Sequence, residues 1–165
     1  MAKRIAFFLY YGLFWLLFFL VLRLYFILNN LSFTDGISLT QILQTFTHGI
    51  IMDLSSTGYL LLIPGLAILV SFFINKRWIL VFINVYTLIF LLIISFLTVS
   101  DAVLYKFWGF RLDSTPLLYL KTPKEAMASV SLGLIIGQIT IALLIFSFAF
   151  FMYRKYFKRL EKFDD

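Results

Sequence analysis

Four long apolar runs constrain this chain more than any other feature of its sequence. The first extends from Ile5 to Leu28 and is interrupted only by Arg23, and the others lie at about 50–74, 78–99 and 132–151. At about 1.5 Å per residue in a helix, each run is long enough to cross the ~30 Å hydrocarbon core of a bilayer. We therefore predict an all-α integral membrane protein with four transmembrane helices.

Composition supports a membrane protein and argues against a soluble or nucleic-acid-binding one. Hydrophobic residues make up 62% of the chain and charged residues 13%, whereas soluble domains are roughly 45–50% apolar and about 25% charged. The formal net charge is +6, but most basic residues lie at the edges of the apolar runs. The chain has no cysteine and one histidine, His48. Metal sites built from cysteine thiolates or from several histidines are therefore excluded. We predict no metal, no cofactor and no catalysis by this chain alone.

The distribution of lysine and arginine predicts the orientation of the helices. Nine basic residues share the side of both termini: Lys3, Arg4, Lys76, Arg77, Arg154, Lys155, Lys158, Arg159 and Lys162. Four lie on the opposite side: Lys106, Arg111, Lys121 and Lys124. Because cytoplasmic segments are enriched in basic residues, both termini are predicted to be cytoplasmic. Residues 1–157 then form a polytopic membrane domain and residues 158–165 a cytoplasmic tail.

The two connections predicted to face outward each contain the signals of a short interfacial amphipathic helix. In the first, Ser38 and Gln41 form a capping box, and apolar residues recur at helical spacing over about 39–47. In the second, Thr122 is a helix cap, with Pro123 at the first helical position and Glu125 at the third. The second interfacial helix is predicted over about 116–131.

Two charged residues within the apolar runs are candidates for an intramembrane ion pair. Arg23 and Asp53 lie at similar distances from the outer ends of the first and second predicted helices. Charges within the hydrocarbon cost ~2.5–3.5 kcal/mol each on insertion scales and usually face a partner or a wet cavity. The alternative is that Arg23 extends to the outer head groups while Asp53 caps the start of its own helix.

Polar residues near the outer surface are candidates for lipid or ion binding. His48, just before the second predicted helix, is either a proton carrier or an interfacial residue. Asp101 and Asp113 are candidate polar interfacial residues that, with Arg111, could bind a lipid head group or a cation. The candidate contacts to an anionic phospholipid are Arg111, Lys121, Lys124 and Trp108. Simple anchoring at the interface would produce the same pattern of basic and aromatic residues.

Two stretches of the sequence resemble a known family. They are residues 48–55, HGIIMDLS, and residues 108–126, which begin WGFRLDSTPL and end YLKTPKEA. Both resemble the membrane region of lipoteichoic acid synthase-like proteins, bacterial enzymes of the sulfatase and alkaline phosphatase superfamily. The resemblance covers most of residues 48–131.

The resemblance implies an anchor for a catalytic domain. Members of this family look like five membrane helices followed by a large extracytoplasmic domain that acts on phosphoglycerol or related esters, with a metal-activated threonine. The fifth helix and the catalytic domain would lie beyond Asp165, so no catalytic residue is carried over. The expected function is membrane anchoring and lipid presentation in a bacterial inner membrane. The alternatives are a stand-alone partner of another membrane subunit and, ranked last, a transporter fragment.

Overall fold

The computed structural model describes residues 2–34, 36–71, 76–113 and 131–160. These residues form four long helices: α1 (Ala2–Asn29), α2 (Leu39–Val70), α3 (Lys76–Trp108) and α4 (Leu132–Leu160). A single turn of 3-10 helix, Leu31–Phe33, follows α1. All four helices are long and apolar enough to cross a membrane. The prediction of an all-α membrane protein with four spanning helices is confirmed.

The helices alternate in direction, so that the start of α1 and the end of α4 lie at one end of the bundle. Phe7 near the start of α1 packs edge-on against Phe157 near the end of α4, with 5.2 Å between the ring centroids. At the opposite end, Asn30 reaches the backbone of Ala102 in α3. We call these two ends the termini end and the distal end.

The core near the termini end is built from large aromatic side chains. Tyr11 and Trp15 of α1 are fully buried, and they recur with Phe7 at the four-residue spacing that places them on one helical face. Tyr153 and Phe157 of α4 pack against this face with edge-on rings. Aromatic pairs contribute about 0.5–1.5 kcal/mol beyond their buried area. This cluster holds α4 to α1.

Buried or partly buried hydrogen bonds connect α3 to each of the other helices. The Tyr11 hydroxyl lies 2.8 Å from the Thr87 hydroxyl, and the Tyr153 hydroxyl donates to Asn84 Oδ1 at 2.6 Å. The Tyr86 hydroxyl donates to the carbonyl oxygen of Leu60 in α2 at 3.1 Å. In lipid, such side-chain bonds are among the interactions that join helices, because apolar side chains gain nothing from leaving hydrocarbon.

The bond from Tyr86 has a specific cause in α2. Pro64 lies inside this helix and has no amide hydrogen, so the Leu60 carbonyl four residues earlier lacks its usual helical donor. Tyr86 supplies the missing donor from the neighbouring helix. A buried carbonyl that would otherwise be unsatisfied is therefore paired, which explains how proline is accommodated in a spanning helix.

Helix boundaries differ from the sequence predictions in three places. The predicted interfacial helix at 39–47 and the second spanning helix are one continuous helix, because no residue between them breaks the backbone hydrogen bonding. α3 continues past Val99 to Trp108, and α4 continues past Phe151 to Leu160, so the first residues of the predicted tail, 158–160, are helical. The capping box of Ser38 and Gln41 is confirmed. The predicted interfacial helix at 116–131 lies almost entirely outside the described residues.

Candidate functional site

The distal end contains an ion pair between α1 and α2. Arg23 Nη2 lies 2.7 Å from Asp53 Oδ1, and the Asp53 side chain is only 10% exposed. The same guanidinium donates to the carbonyl oxygens of Thr45 and Gly49, each at 3.1 Å. The three residues that accept from Arg23, namely Thr45, Gly49 and Asp53, are four residues apart and lie along one face of α2. The structure thus brings together the two charges that the sequence analysis considered as a pair.

Gly49 provides the space that this arrangement requires. A Cβ atom built on Gly49 would overlap the Arg23 guanidinium. Glycine therefore allows the guanidinium to lie directly against the α2 backbone, where it reaches both carbonyl oxygens. Sequence reasoning did not find this role, because a glycine within an apolar helix gives no indication of which side chain will approach it.

The alternative interpretation is wrong for Asp53. Asp53 cannot cap the start of its helix, because α2 begins fourteen residues earlier at Leu39. The Arg23 guanidinium is engaged by three acceptors on α2. His48 likewise lies inside α2, exposed, and not before the helix as predicted.

A second ion pair lies at the distal end of α3. Asp101 Oδ2 accepts from Arg111 Nε at 2.7 Å, and Asp101 Oδ1 accepts from the backbone N–H of Leu112 at 2.6 Å. Gly109, with φ of +72°, reverses the chain directly after α3. Glycine suits this position because a Cβ atom disfavours positive φ. The turn brings Arg111 back alongside the last turns of α3.

The Arg111 guanidinium also contacts α1. Its central carbon lies 4.2 Å from the centroid of the Phe26 ring, in a cation–π arrangement. The Phe26 ring packs edge-on against Tyr105 of α3, at 5.2 Å. Asn30 donates to the carbonyl oxygens of Phe26 and of Ala102. The last two turns of α1 are thus held to α3 on one side and to α2, through Arg23, on the other.

The remaining predicted site residues have different positions. Trp108 is the last residue of α3 and stacks on Phe110 at 5.6 Å between centroids. Asp113 is exposed at the end of a described segment, and Asp101 is buried. Because both oxygens of Asp101 are occupied by Arg111 and Leu112, Asp101 and Arg111 form a structural pair and are not a preformed cation site. Lys121 and Lys124 lie outside the described residues.

Comparisons of the chain with protein-family models, with curated proteins and with solved structures found no match.

Proposed function

We propose that this chain is the membrane-anchoring and lipid-presenting region of a phosphoglycerol transferase or sulfatase-like enzyme. In this proposal the distal end faces outward and carries a platform for a catalytic domain supplied by further sequence. The termini face the cytoplasm of a bacterial cell, and the chain performs no catalysis alone. The proposal extends the resemblance of residues 48–55 and 108–126 to lipoteichoic acid synthase-like proteins.

The observation that carries the proposal is the cross-linked distal end. The Arg23–Asp53 ion pair joins α1 to α2, and Arg111, held against α3 by Asp101, contacts Phe26 of α1. One member of each pair, Asp53 and Arg111, lies within the two stretches that resemble the family. A rigid distal surface is what an enzyme needs to hold a lipid-linked donor near its reacting groups.

The chemistry of the distal surface is also consistent with lipid presentation. α2 extends toward this end with exposed apolar residues, including Leu39 at 71% exposure, and the last turn of α3 exposes Phe107 at 67%. The Arg111 side chain remains 67% exposed despite its ion pair. Aromatic and basic residues together at one end are typical of contacts with the interface and with anionic head groups.

A chimera tests the proposal. The chain would be joined, through one further membrane-spanning helix, to the catalytic domain of a lipoteichoic acid synthase-like enzyme, and turnover of phosphatidylglycerol would be measured in liposomes. The matched control carries an unrelated four-helix anchor before the same helix and catalytic domain. We expect several-fold faster turnover with this chain, and a substantial part of that gain to be lost in Arg111→Gln.

Equal turnover by the two chimeras at equal membrane density would refute lipid presentation. In that case the chain would be an anchor without a role in substrate delivery. A reduced rate for both anchors in detergent, where donor and enzyme no longer share one plane, would only report the general benefit of membrane attachment.

A further inference from the structure

An apolar groove is lined by residues of α1 and α4 in the half of the bundle nearest the termini. Its volume is about 850 Å³, within the range of about 300–1,000 Å³ found for small-molecule sites. On α1 it is lined by Tyr10, Leu17 and Val21, and on α4 by Leu144, Phe148 and Met152, among others. We propose that this groove binds one acyl chain of an anionic phospholipid from the leaflet at the termini end, with Lys3 and Lys155 contacting its head group.

The length of the groove matches one leaflet. Its lining on α1 runs from Tyr10 to Val21, which is about 16 Å at ~1.5 Å per residue. Half of a ~30 Å hydrocarbon core is about 15 Å. The exposed charged residues Arg154 and Lys155 of α4 lie at the level of Tyr10, as the contact of Tyr11 with Tyr153 indicates. In this proposal Arg154 and Lys155 mark the interface, and the groove extends from there to about the bilayer midplane.

Lysine residues continue both walls of the groove toward the head groups. On α1, Lys3, Tyr10 and Leu17 are seven residues apart and share one helical face. On α4, Phe148, Met152 and Lys155 follow the same i, i+4, i+7 pattern. Lys3 and Lys155 are both exposed. An apolar slot with ammonium groups at its open end is complementary to an apolar tail with an anionic head.

Tyrosine residues at the same end add hydrogen-bonding groups. Tyr10 is 55% exposed and Tyr156 is 61% exposed, and both line the groove. A tyrosine at the interface keeps its ring in apolar surroundings while its hydroxyl reaches polar groups. The hydroxyls can therefore donate to phosphate or ester oxygens beside the two lysines.

Native mass spectrometry of the purified protein tests this proposal. The protein would be equilibrated with equimolar phosphatidylglycerol and phosphatidylcholine that carry identical acyl chains. We expect one retained lipid with a clear preference for phosphatidylglycerol. A lysine near a charged surface contributes about five-fold in affinity, so Lys155→Gln should lower the preference about five-fold and the double variant with Lys3→Gln by up to about thirty-fold.

Two variants separate this site from general electrostatics. Lys106→Gln removes an exposed lysine at the distal end of α3 and should leave the preference unchanged. Leu17→Trp places an indole in the groove and should reduce retention of both lipids, while unfolding in sodium dodecyl sulfate (SDS) checks that the bundle remains intact. If Leu17→Trp does not fold, the comparison of Lys106→Gln with Lys155→Gln still decides whether the lipid preference belongs to this site.

Several results would overturn the proposal. Equal retention of the two lipids would remove the head-group site, and an equal effect of Lys106→Gln and Lys155→Gln would assign the preference to overall charge. A dimer that retains no lipid would instead assign the groove to a second copy of the chain. The groove and its two lysines lie at the termini end, whereas the proposed function concerns turnover at the distal end, so failure here is distinguishable from failure of the proposed function.

Discussion

Replacing Gly49 with alanine gives the sharpest test of the distal ion pair. The new methyl group would occupy the position of the Arg23 guanidinium, which must then leave α2. The arginine is long and flexible enough to move, so the main cost is not steric overlap. The cost is the loss of the contacts that the guanidinium makes with Asp53 and with two backbone carbonyl oxygens.

The expected magnitude follows from what remains after the guanidinium moves. Asp53 is 7% exposed and its Oδ2 atom already lacks a hydrogen-bond partner among the described residues, so its charge would be left buried and uncompensated. Breaking a buried pair costs about 3–5 kcal/mol. We take the lower value, since Arg23 lies near the distal end of α1 and can reach the head groups. Alanine stabilises the helix by about 0.5–1 kcal/mol through its higher helix propensity. The free energy of unfolding should therefore fall by about 2 kcal/mol in total.

Gly58 of the same helix is the matched control. A Cβ atom built there meets nothing within 4 Å, so Gly58→Ala should stabilise the protein by about 0.5–1 kcal/mol through helix propensity alone. The assay is unfolding by SDS in mixed micelles, followed by tryptophan fluorescence. In an Arg23→Ala background, Gly49→Ala should become as favourable as Gly58→Ala, because no guanidinium remains to be displaced.

The reasoning would be refuted if Gly49→Ala and Gly58→Ala had the same effect in the wild-type background. Equal effects would mean that the ion pair contributes no measurable stability. A loss from Gly49→Ala that persists in the Arg23→Ala background would show that some other contact requires glycine.

Three further substitutions test the remaining contacts. Tyr86→Phe should lower the free energy of unfolding by about 1 kcal/mol in the same assay. The loss should be much smaller in a Pro64→Ala background, because residue 64 then has a backbone N–H that can donate to the Leu60 carbonyl oxygen. An equal loss in both backgrounds would contradict the pairing of Tyr86 with Leu60. Asp101→Asn should lower global stability by less than about 1 kcal/mol, because Arg111 is largely exposed, yet increase proteolysis at the turn after α3; unchanged cleavage would contradict its role there. Ser38→Ala should cost about 1 kcal/mol and speed hydrogen exchange in the first turns of α2, and unaltered exchange would argue against the cap.

The sequence was sufficient for those features that depend on local composition and spacing. The four spanning helices follow from apolar runs longer than the hydrocarbon core, since a backbone in lipid must satisfy its own hydrogen bonds. The capping box at Ser38 was predictable for a similar reason, because its partners are three residues apart. The boundaries were less accurate where polar residues, such as Asp101 in α3, lie inside helices that continue past the apolar run.

Contacts between distant residues required the tertiary structure. The sequence made Arg23 and Asp53 candidates for an ion pair only because they lie at similar distances from the outer ends of their helices. Packing decides which face of each helix contacts the other. The same packing places Gly49 beneath the guanidinium and the Tyr86 hydroxyl beside the carbonyl that Pro64 leaves without a donor. The sequence thus determined that this chain forms four membrane helices. Only their packing decided which polar groups meet, because rotating a helix about its axis changes its neighbours without changing its composition.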